Sequence, residues 1–277
     1  MVMEEEAERI VTYLKNKHGF DFSGYRSSLI ERRLDRRMKA TKSTDFSEYL
    51  SYLEDHQDEL HNLVDALTIQ VSRFFRNSLS FEYMADKILP SMLSEKLLRH
   101  DYTLRIWSAG CATGEEPYSI AILINELLLK ESVTLSVNIF ATDIDQNALE
   151  QARKAVYSSE SLKEIKFGLL NKYFMKEEAL FKLHPEIKQM VHFSFYDMLD
   201  KKSRVPPDSV YGHFDLVLCR NLLIYFNPEC QNIIFDKLYH SLRQGGYLVL
   251  GKAEVPPLQY RKRYHRLCEA GHMYQKE

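Results

Sequence analysis

Apolar residues recur in steps of three and four through the first hundred positions of the chain. This spacing predicts successive amphipathic helices, at residues 7–19, 25–40, 45–56, 58–67 and 78–98. Thr44 and Asp45 offer an N-cap for the third helix, and Pro90 predicts a kink or break in the fifth. No strand pattern interrupts this half, so we predict an all-helical domain over residues 1–85.

From Thr103 onward, short apolar runs alternate with helical patterns. The sequence predicts strands at 104–109, 136–143, 213–219 and 245–252, and helices at 117–130, 144–157 and 228–243. Such alternation is typical of an α/β fold with a doubly wound, mostly parallel sheet. Two extended runs around His184-Pro185-Glu186 predict a small antiparallel β insertion at about 171–195. We therefore predict a second domain over residues 86–277.

Composition and charge narrow the class of protein. The 277 residues carry 37 basic and 39 acidic side chains, a net charge of −2 that disfavours general nucleic-acid binding. The acidic start is unlike a targeting segment, and no apolar run is long enough to insert in a membrane. Four cysteines without C-x-x-C spacing are typical of reduced thiols. We expect a cytoplasmic protein without a metal site.

The stretch WSAGCATGEEPYS, residues 107–119, follows the first predicted strand. Ligands of doubly wound sheets bind at the carboxyl ends of the strands, where a glycine turn allows close approach. This turn is not G-x-G-x-x-G, and Glu115 with Glu116 would repel a phosphate. Asp143, at the end of the second strand, is placed to accept hydrogen bonds from ribose hydroxyls. Together these residues favour a positively charged nucleoside, S-adenosylmethionine, although acids at a helix start also simply favour the helix dipole.

A third polar cluster, FDLVLCRNLLIYFNPE, covers residues 214–229. Its strand ends at Cys219, and Asn221 and Tyr225 follow where a cofactor would lie. The Asn-Pro-Pro-aromatic run typical of enzymes that methylate adenine amines is missing. A nucleophile that needs no deprotonation, such as a carboxylate, suits this sequence better.

Four motifs resemble the CheR-type chemoreceptor glutamate methyltransferases. They are SRFFRN (72–77), RIWSAGCATGEEPYSIA (105–121), FATDIDQNALEQAR (140–153) and VLCRNLLIYF (217–226), in the expected order behind a helical segment. The resemblance implies methyl transfer from S-adenosylmethionine, with S-adenosylhomocysteine as product, to glutamate side chains of transmembrane chemoreceptors for chemotactic adaptation.

The resemblance also implies roles for individual residues. Arg76 and Tyr225 match residues that meet the substrate carboxylate and are the predicted catalytic pair. Gln70 and Ser72 stand where the family has Asn-x-Thr, and Asp197 where it often has Asn. The predicted cofactor contacts are Gln70, Ser72, Arg76, Glu116, Asp143, Asp197, Met198, Asn221 and Leu222.

One predicted helix is strongly basic. Ile30, Leu34 and Met38 form its apolar stripe, and the predicted recognition residues are Arg26, Arg32, Arg33, Arg36 and Arg37. This surface is either an ordinary solvated face or a dock for the acidic helical bundle of the chemoreceptors. Nucleic acid is disfavoured because stacking aromatics are missing. The His-Pro-Glu turn lacks the glycines that some family members carry there, so the sequence does not support binding of a receptor tail peptide.

Three functions remain open at this point. The first is methylation of receptor glutamates. The second is methylation of another carboxylate, in a different protein or in a small acid. The third is a non-catalytic sensor that binds S-adenosylmethionine, which the presence of Arg76 and Tyr225 disfavours.

Overall fold

A computed structural model describes residues 2–18, 21–68, 72–268 and 271–277. The chain forms two compact units. One comprises Met1–Gln70 with Tyr225–Ile233, and the other comprises Val71–Ile224 with Ile234–Glu277. The units divide near residue 70, whereas the predicted boundary was at residue 85.

The first unit is helical, as predicted. Its helices are α1 (Val2–His18), α2 (Ser27–Thr41), α3 (Phe46–Asp55) and α4 (Gln57–Thr68). Leu14, Leu34 and Leu63 are fully buried where these helices pack together. The predicted N-cap of α3 is present, because the Asp45 carboxylate accepts from the Glu48 amide at 2.9 Å and Glu48 reaches back to the Thr44 amide. The Asp45 carboxylate thus satisfies an amide that the first turn of a helix leaves without a partner, and the Glu48 carboxylate fixes the residue that precedes the cap.

The fifth predicted helix belongs to the second unit. It runs through α5 (Ser78–Tyr83), a π-helical turn (Met84–Ile88) and α6 (Leu89–Leu98). Pro90 lies in the first turn of α6, directly after the π turn. Such a bulge lets a helix continue past a residue that has no amide proton. Phe81, Met84 and Met92 are buried in the main core of this unit.

A seven-stranded sheet and a small three-stranded sheet form the second unit. The strands are β1 (Thr103–Ala109), β2 (Ser136–Asp143), β3 (Val156–Ser158), β4 (Phe174–Glu177), β5 (Leu180–Leu183), β6 (Val191–Phe195), β7 (Phe214–Cys219), β8 (Leu242–Leu250), β9 (Tyr264–Cys268) and β10 (Met273–Lys276). The large sheet has the order β6-β2-β1-β7-β8-β10-β9. Its first five strands are parallel, and β10 and β9 complete it in antiparallel fashion. The doubly wound fold is therefore confirmed.

Helices connect these strands. They are α7 (Glu115–Glu131), α8 (Gln146–Lys154), α9 (Phe167–Tyr173), α10 (Pro185–Lys188), α11 (Pro228–Ser241) and α12 (Leu258–Arg261). Both α7 and α8 pack on β2 and β6. Within the described residues, no helix combines the length and apolarity that crossing a membrane requires.

The small antiparallel sheet is present, but its predicted extent was wrong. It has the order β3-β5-β4 and already starts at Val156, within a predicted helix. The second extended run, β6, is instead a parallel edge strand of the large sheet, paired with β2. Pro185 and Glu186 begin α10 rather than a hairpin turn. The alternation of apolar and polar residues marks a strand but does not specify its partner, which explains the error.

Candidate active site

The glycine turn between β1 and α7 lies at the carboxyl end of the parallel strands. The amides of Gly110 and Cys111 both donate to the Thr142 carbonyl, at 2.8 and 3.0 Å. Gly110 has a φ of +75°, and a Cβ there would lie 3.1 Å from the Leu222 side chain. Glycine is favoured at this position for two reasons: it adopts the left-handed backbone without strain, and its missing side chain allows Leu222 to approach closely. The segments that follow β1, β2 and β7 meet at this turn.

Asp143 ends β2 and is held by backbone donors. One carboxylate oxygen accepts from the Ala112 amide at 2.8 Å, and the other accepts from the Asp145 amide at 3.0 Å. Burial raises the pKa of Asp143, and these two hydrogen bonds oppose the increase. Because each carboxylate oxygen has two lone pairs, the group can still accept from hydroxyl donors. This arrangement fits a ribose-binding acid.

Glu116, the second acid of the turn, takes part in a charged cluster. It accepts from the Ser108 hydroxyl at 2.8 Å and pairs with the Arg220 guanidinium at 3.1 Å. Arg220 is 6% exposed and also donates to the Arg76 carbonyl at 2.6 Å. It thereby joins two of the predicted site residues. Arg220 was not among the predicted site residues, although the C-R-N motif after β7 contains it.

Glu115 has different surroundings. It is 2% exposed, and the Thr113 hydroxyl donates to both of its carboxylate oxygens, at 2.9 and 2.8 Å. The Ser72 and Ser161 hydroxyls also hydrogen-bond to it, yet burial raises its pKa. Glu115 therefore contacts Ser72, a predicted cofactor contact, and links the segment before FFR to the start of α7.

Arg76 lies in a tight turn anchored to α7. Its neighbours Phe75 and Asn77 have φ angles of 56° and 62°, which non-glycine residues adopt rarely. The Phe75 amide donates to the Ser119 hydroxyl at 3.0 Å. The backbone of the FFR segment is therefore fixed by side chains of the helix that follows the glycine turn.

The other predicted cofactor contacts in this unit lie at strand ends. The Asp197 carboxylate accepts from the Leu199 amide at 2.8 Å, and Met198 is buried. Asn221 follows β7 in a left-handed conformation with a φ of 59°. Gln70 lies outside the described residues.

Tyr225 groups with the helical unit, where its carbonyl accepts from the Arg26 amide at 2.9 Å. The Arg26 side chain is exposed, and its Nε donates to the Phe226 carbonyl at 3.0 Å. The predicted catalytic roles of Arg76 and Tyr225 remain predictions.

The basic helix is α2, and its arginines differ in their surroundings. Ile30 and Leu34 of its predicted stripe are buried, and Met38 is half-buried. Arg32 and Arg36 are exposed, whereas Arg33 is half-buried. These two exposed side chains are accessible to a partner.

Arg37 is held within the helical unit itself. It forms a two-pronged ion pair with Glu59, which is 5% exposed. The Tyr49 hydroxyl donates to the same carboxylate at 2.7 Å. This pairing gives Arg37 a role in holding α2 against α4.

Two family models match consecutive parts of the chain. The all-alpha domain of the CheR methyltransferases matches residues 5–68, and their S-adenosylmethionine-binding domain matches residues 70–270. The chain belongs to the CheR methyltransferase family. It is thus an S-adenosylmethionine-dependent methyltransferase.

Several curated relatives of this CheR-family chain are chemotaxis protein methyltransferases. The one from Borreliella burgdorferi is 33% identical over 258 residues, which cover 92% of this chain and 89% of the relative. The one from Salmonella typhimurium is 34% identical over 252 residues, covering 89% and 82% of the two chains. The similarity extends through both units.

The described residues fit S-adenosylmethionine. Asp143, at the carboxyl end of β2, offers acceptors for ribose hydroxyls beside the glycine turn. When bound, the cofactor supplies an electrophilic methyl group attached to a sulfonium.

Proposed function

We propose that this chain methylates glutamate side chains of chemoreceptors and forms glutamate methyl esters. The observation that carries the proposal is the C-R-N-x-x-I-Y-F segment after β7, which stands in place of an amine-binding motif. A glutamate with an ordinary pKa of about 4.3 is already ionised at neutral pH. Such a nucleophile needs orientation rather than a general base.

Arg76 is the residue that we assign to this orientation. A guanidinium can hold one carboxylate oxygen through charge-assisted hydrogen bonds and leave the other oxygen free to attack. Its backbone supports the assignment, because Arg220 donates to the Arg76 carbonyl and Ser119 accepts from the Phe75 amide. A fixed backbone restricts where the long side chain can reach.

Tyr225 is assigned by the resemblance to positioning the reacting groups. Its backbone carbonyl accepts from the Arg26 amide, so the residue is anchored to the start of α2. Replacement by phenylalanine removes only the hydroxyl, which makes Tyr225→Phe the cleanest test of this role.

The partner that we propose is the acidic helical bundle of a chemoreceptor. Arg32 and Arg36 are exposed on α2 and carry charge opposite to that of such a bundle. Complementary charge steers association and selects partners. The names of the curated relatives, chemotaxis protein methyltransferases, agree with this choice.

A labelling experiment tests the proposal. The chain is incubated with methyl-labelled S-adenosylmethionine and chemoreceptor-containing membranes, and alkali then releases methyl esters as volatile methanol. We expect alkali-labile label in the receptor band, and strongly reduced rates with Arg76→Ala and Tyr225→Phe. Label that resists alkali would refute ester formation, and label only in added small carboxylic acids would refute the receptor as substrate.

A further inference from the structure

Glu254 is a buried acid beside the proposed cofactor site, and it has no role in the proposed methyl transfer itself. It lies in the segment after β8 and is 3% exposed. Burying a charged carboxylate is unfavourable unless hydrogen bonds compensate for the lost water. The partners of this group therefore indicate what it does.

The donors to Glu254 are backbone amides from two segments. Gly251 and Asn221 donate to one carboxylate oxygen, at 2.7 and 2.9 Å. The Ile224 amide donates to the other oxygen at 3.3 Å, and the Leu223 amide also contributes. Three of these four amides belong to the segment that follows β7. One side chain thus fixes the path of residues 221–224.

Gly251 shows how closely the two segments approach. A Cβ at this position would lie 2.5 Å from the Glu254 carboxylate and 2.7 Å from the Asn221 nitrogen. Real Cβ atoms do not make such short contacts, so no other residue fits without a shift of the backbone. Gly251 and Glu254 together form the seat of Asn221.

The seated segment carries two of the proposed cofactor contacts. Asn221 has a left-handed backbone conformation, which surrounding hydrogen bonds must hold in place. Leu222, its neighbour, lies against Gly110 of the glycine turn. A change at Glu254 would therefore alter the positions of both residues without touching either side chain.

We propose that Glu254 is a positioning residue for cofactor binding, which acts by holding the Asn221–Leu222 segment against the glycine turn. The proposal rests on the proposed assignment of Asn221 and Leu222 as cofactor contacts. It does not depend on the acceptor, because S-adenosylhomocysteine binding can be measured without any methylated protein.

The decisive variant is Glu254→Gln, which keeps the shape but replaces one acceptor oxygen by a donor. We expect the dissociation constant of S-adenosylhomocysteine, measured by calorimetry, to rise at least about tenfold, since buried amides lose their acceptor. The KM for S-adenosylmethionine should rise with it, while kcat at saturating cofactor changes much less. An unchanged dissociation constant in a folded Glu254→Gln protein would overturn the proposal.

Asp215→Asn is the matched control. Asp215 is also a fully buried acid, but it lies near the amino end of β7, whereas Asn221 follows the carboxyl end. It pairs with Lys96 and Arg243, so we expect Asp215→Asn to lower the thermal stability of the same unit. Cofactor affinity should be retained. An equal loss of affinity in Asp215→Asn would show that general destabilisation explains the result.

A measurement on the unaltered chain tests the same hydrogen bond and applies even if the Glu254→Gln variant does not fold. Nuclear magnetic resonance can detect scalar coupling across a hydrogen bond, here from the Asn221 amide nitrogen to the side-chain carboxyl carbon of Glu254. We expect this coupling with and without S-adenosylhomocysteine. Its absence in both states would contradict the proposed seat.

Discussion

Glu115 and Glu116 are adjacent in sequence but have different environments. Glu116 pairs with Arg220 and accepts from Ser108, whereas Glu115 is enclosed by hydroxyl groups. The sequence predicted that acids here disfavour a phosphate, since that follows from residue type. It could not predict Arg220 as the partner, because the pair joins segments 104 positions apart. Such a pair depends on the order of strands in the sheet.

Asp143 is the first residue whose role can be measured directly. Asp143→Ala should weaken S-adenosylhomocysteine binding by about 2 kcal/mol, because a charge-assisted contact to the ribose is lost. Calorimetry on the variant gives the difference. Unaltered affinity would remove Asp143 from the cofactor site.

The pH dependence of binding gives a second test at this residue. Burial raises the pKa of Asp143 above the ordinary value of about 3.9. The ionised form is the better acceptor, so cofactor affinity should fall as the pH is lowered through this raised pKa. An ordinary aspartate would still be charged at that pH. Calorimetry from neutral to acidic pH should show this fall in the unaltered chain and a flatter profile in Asp143→Asn, and equal profiles would contradict the assignment.

Among the secondary-structure elements, the periodicity of apolar residues predicted most helices and strands, but it did not predict which strands pair with each other. Pro90 was predicted to kink or break the helix from Ser78 to Leu98. The helix continues, because the π turn before Pro90 accommodates a residue without an amide proton. The antiparallel strands β9 and β10 were missed, since short half-buried strands near the end of the chain carry little periodic signal. The seat of Asn221, formed by Gly251 and Glu254, joins two separate loops, so no local sequence pattern predicts it.

The pair between Arg37 and Glu59 predicts a stability effect in the helical unit. Arg37→Ala should lower the free energy of unfolding by about 2 kcal/mol, because a buried carboxylate loses its cation. Burial alone would raise the pKa of Glu59, but the bonds from Arg37 and Tyr49 lower it. The stabilisation is therefore present above the ordinary glutamate pKa of about 4.3 and is lost as the pH falls through the lowered value.

Denaturation at two pH values checks this account. The difference between Arg37→Ala and the unaltered chain should be full at pH 7 and smaller near pH 3. An Arg32→Ala variant, which changes an exposed arginine of the same helix, serves as the control. Its free energy of unfolding should equal that of the unaltered chain. Equal stability of both variants would mean that the pair between Arg37 and Glu59 contributes nothing.

At the scale of the whole molecule, the net charge of −2 conceals a local excess of positive charge on α2. If this surface steers the chain to an acidic receptor, receptor methylation should slow when salt is raised. Between roughly 50 and 500 mM, the Debye length falls from about 14 to about 4 Å. Affinity for S-adenosylhomocysteine should change little over the same range.

Charge-reversal variants distinguish an effect of the α2 arginines from an effect of the net charge of the chain. Arg32→Glu with Arg36→Glu should reproduce the effect of high salt already at low salt. Lys130→Glu with Lys188→Glu introduces the same charge change at exposed positions of the other unit and should leave the rate nearly unaltered. A normal rate in the Arg32 and Arg36 variant would mean that α2 is only a solvated face.

Tandem mass spectrometry of a chemoreceptor cytoplasmic fragment, after incubation with this chain and S-adenosylmethionine, locates each methyl group on a particular side chain. We expect peptides that gain the mass of one methylene on glutamate and lose it again on mild alkaline treatment. Asp143→Ala and Arg76→Ala should produce few of them. Methyl groups located on any other type of side chain, or no modification of the receptor by active enzyme, would contradict the account.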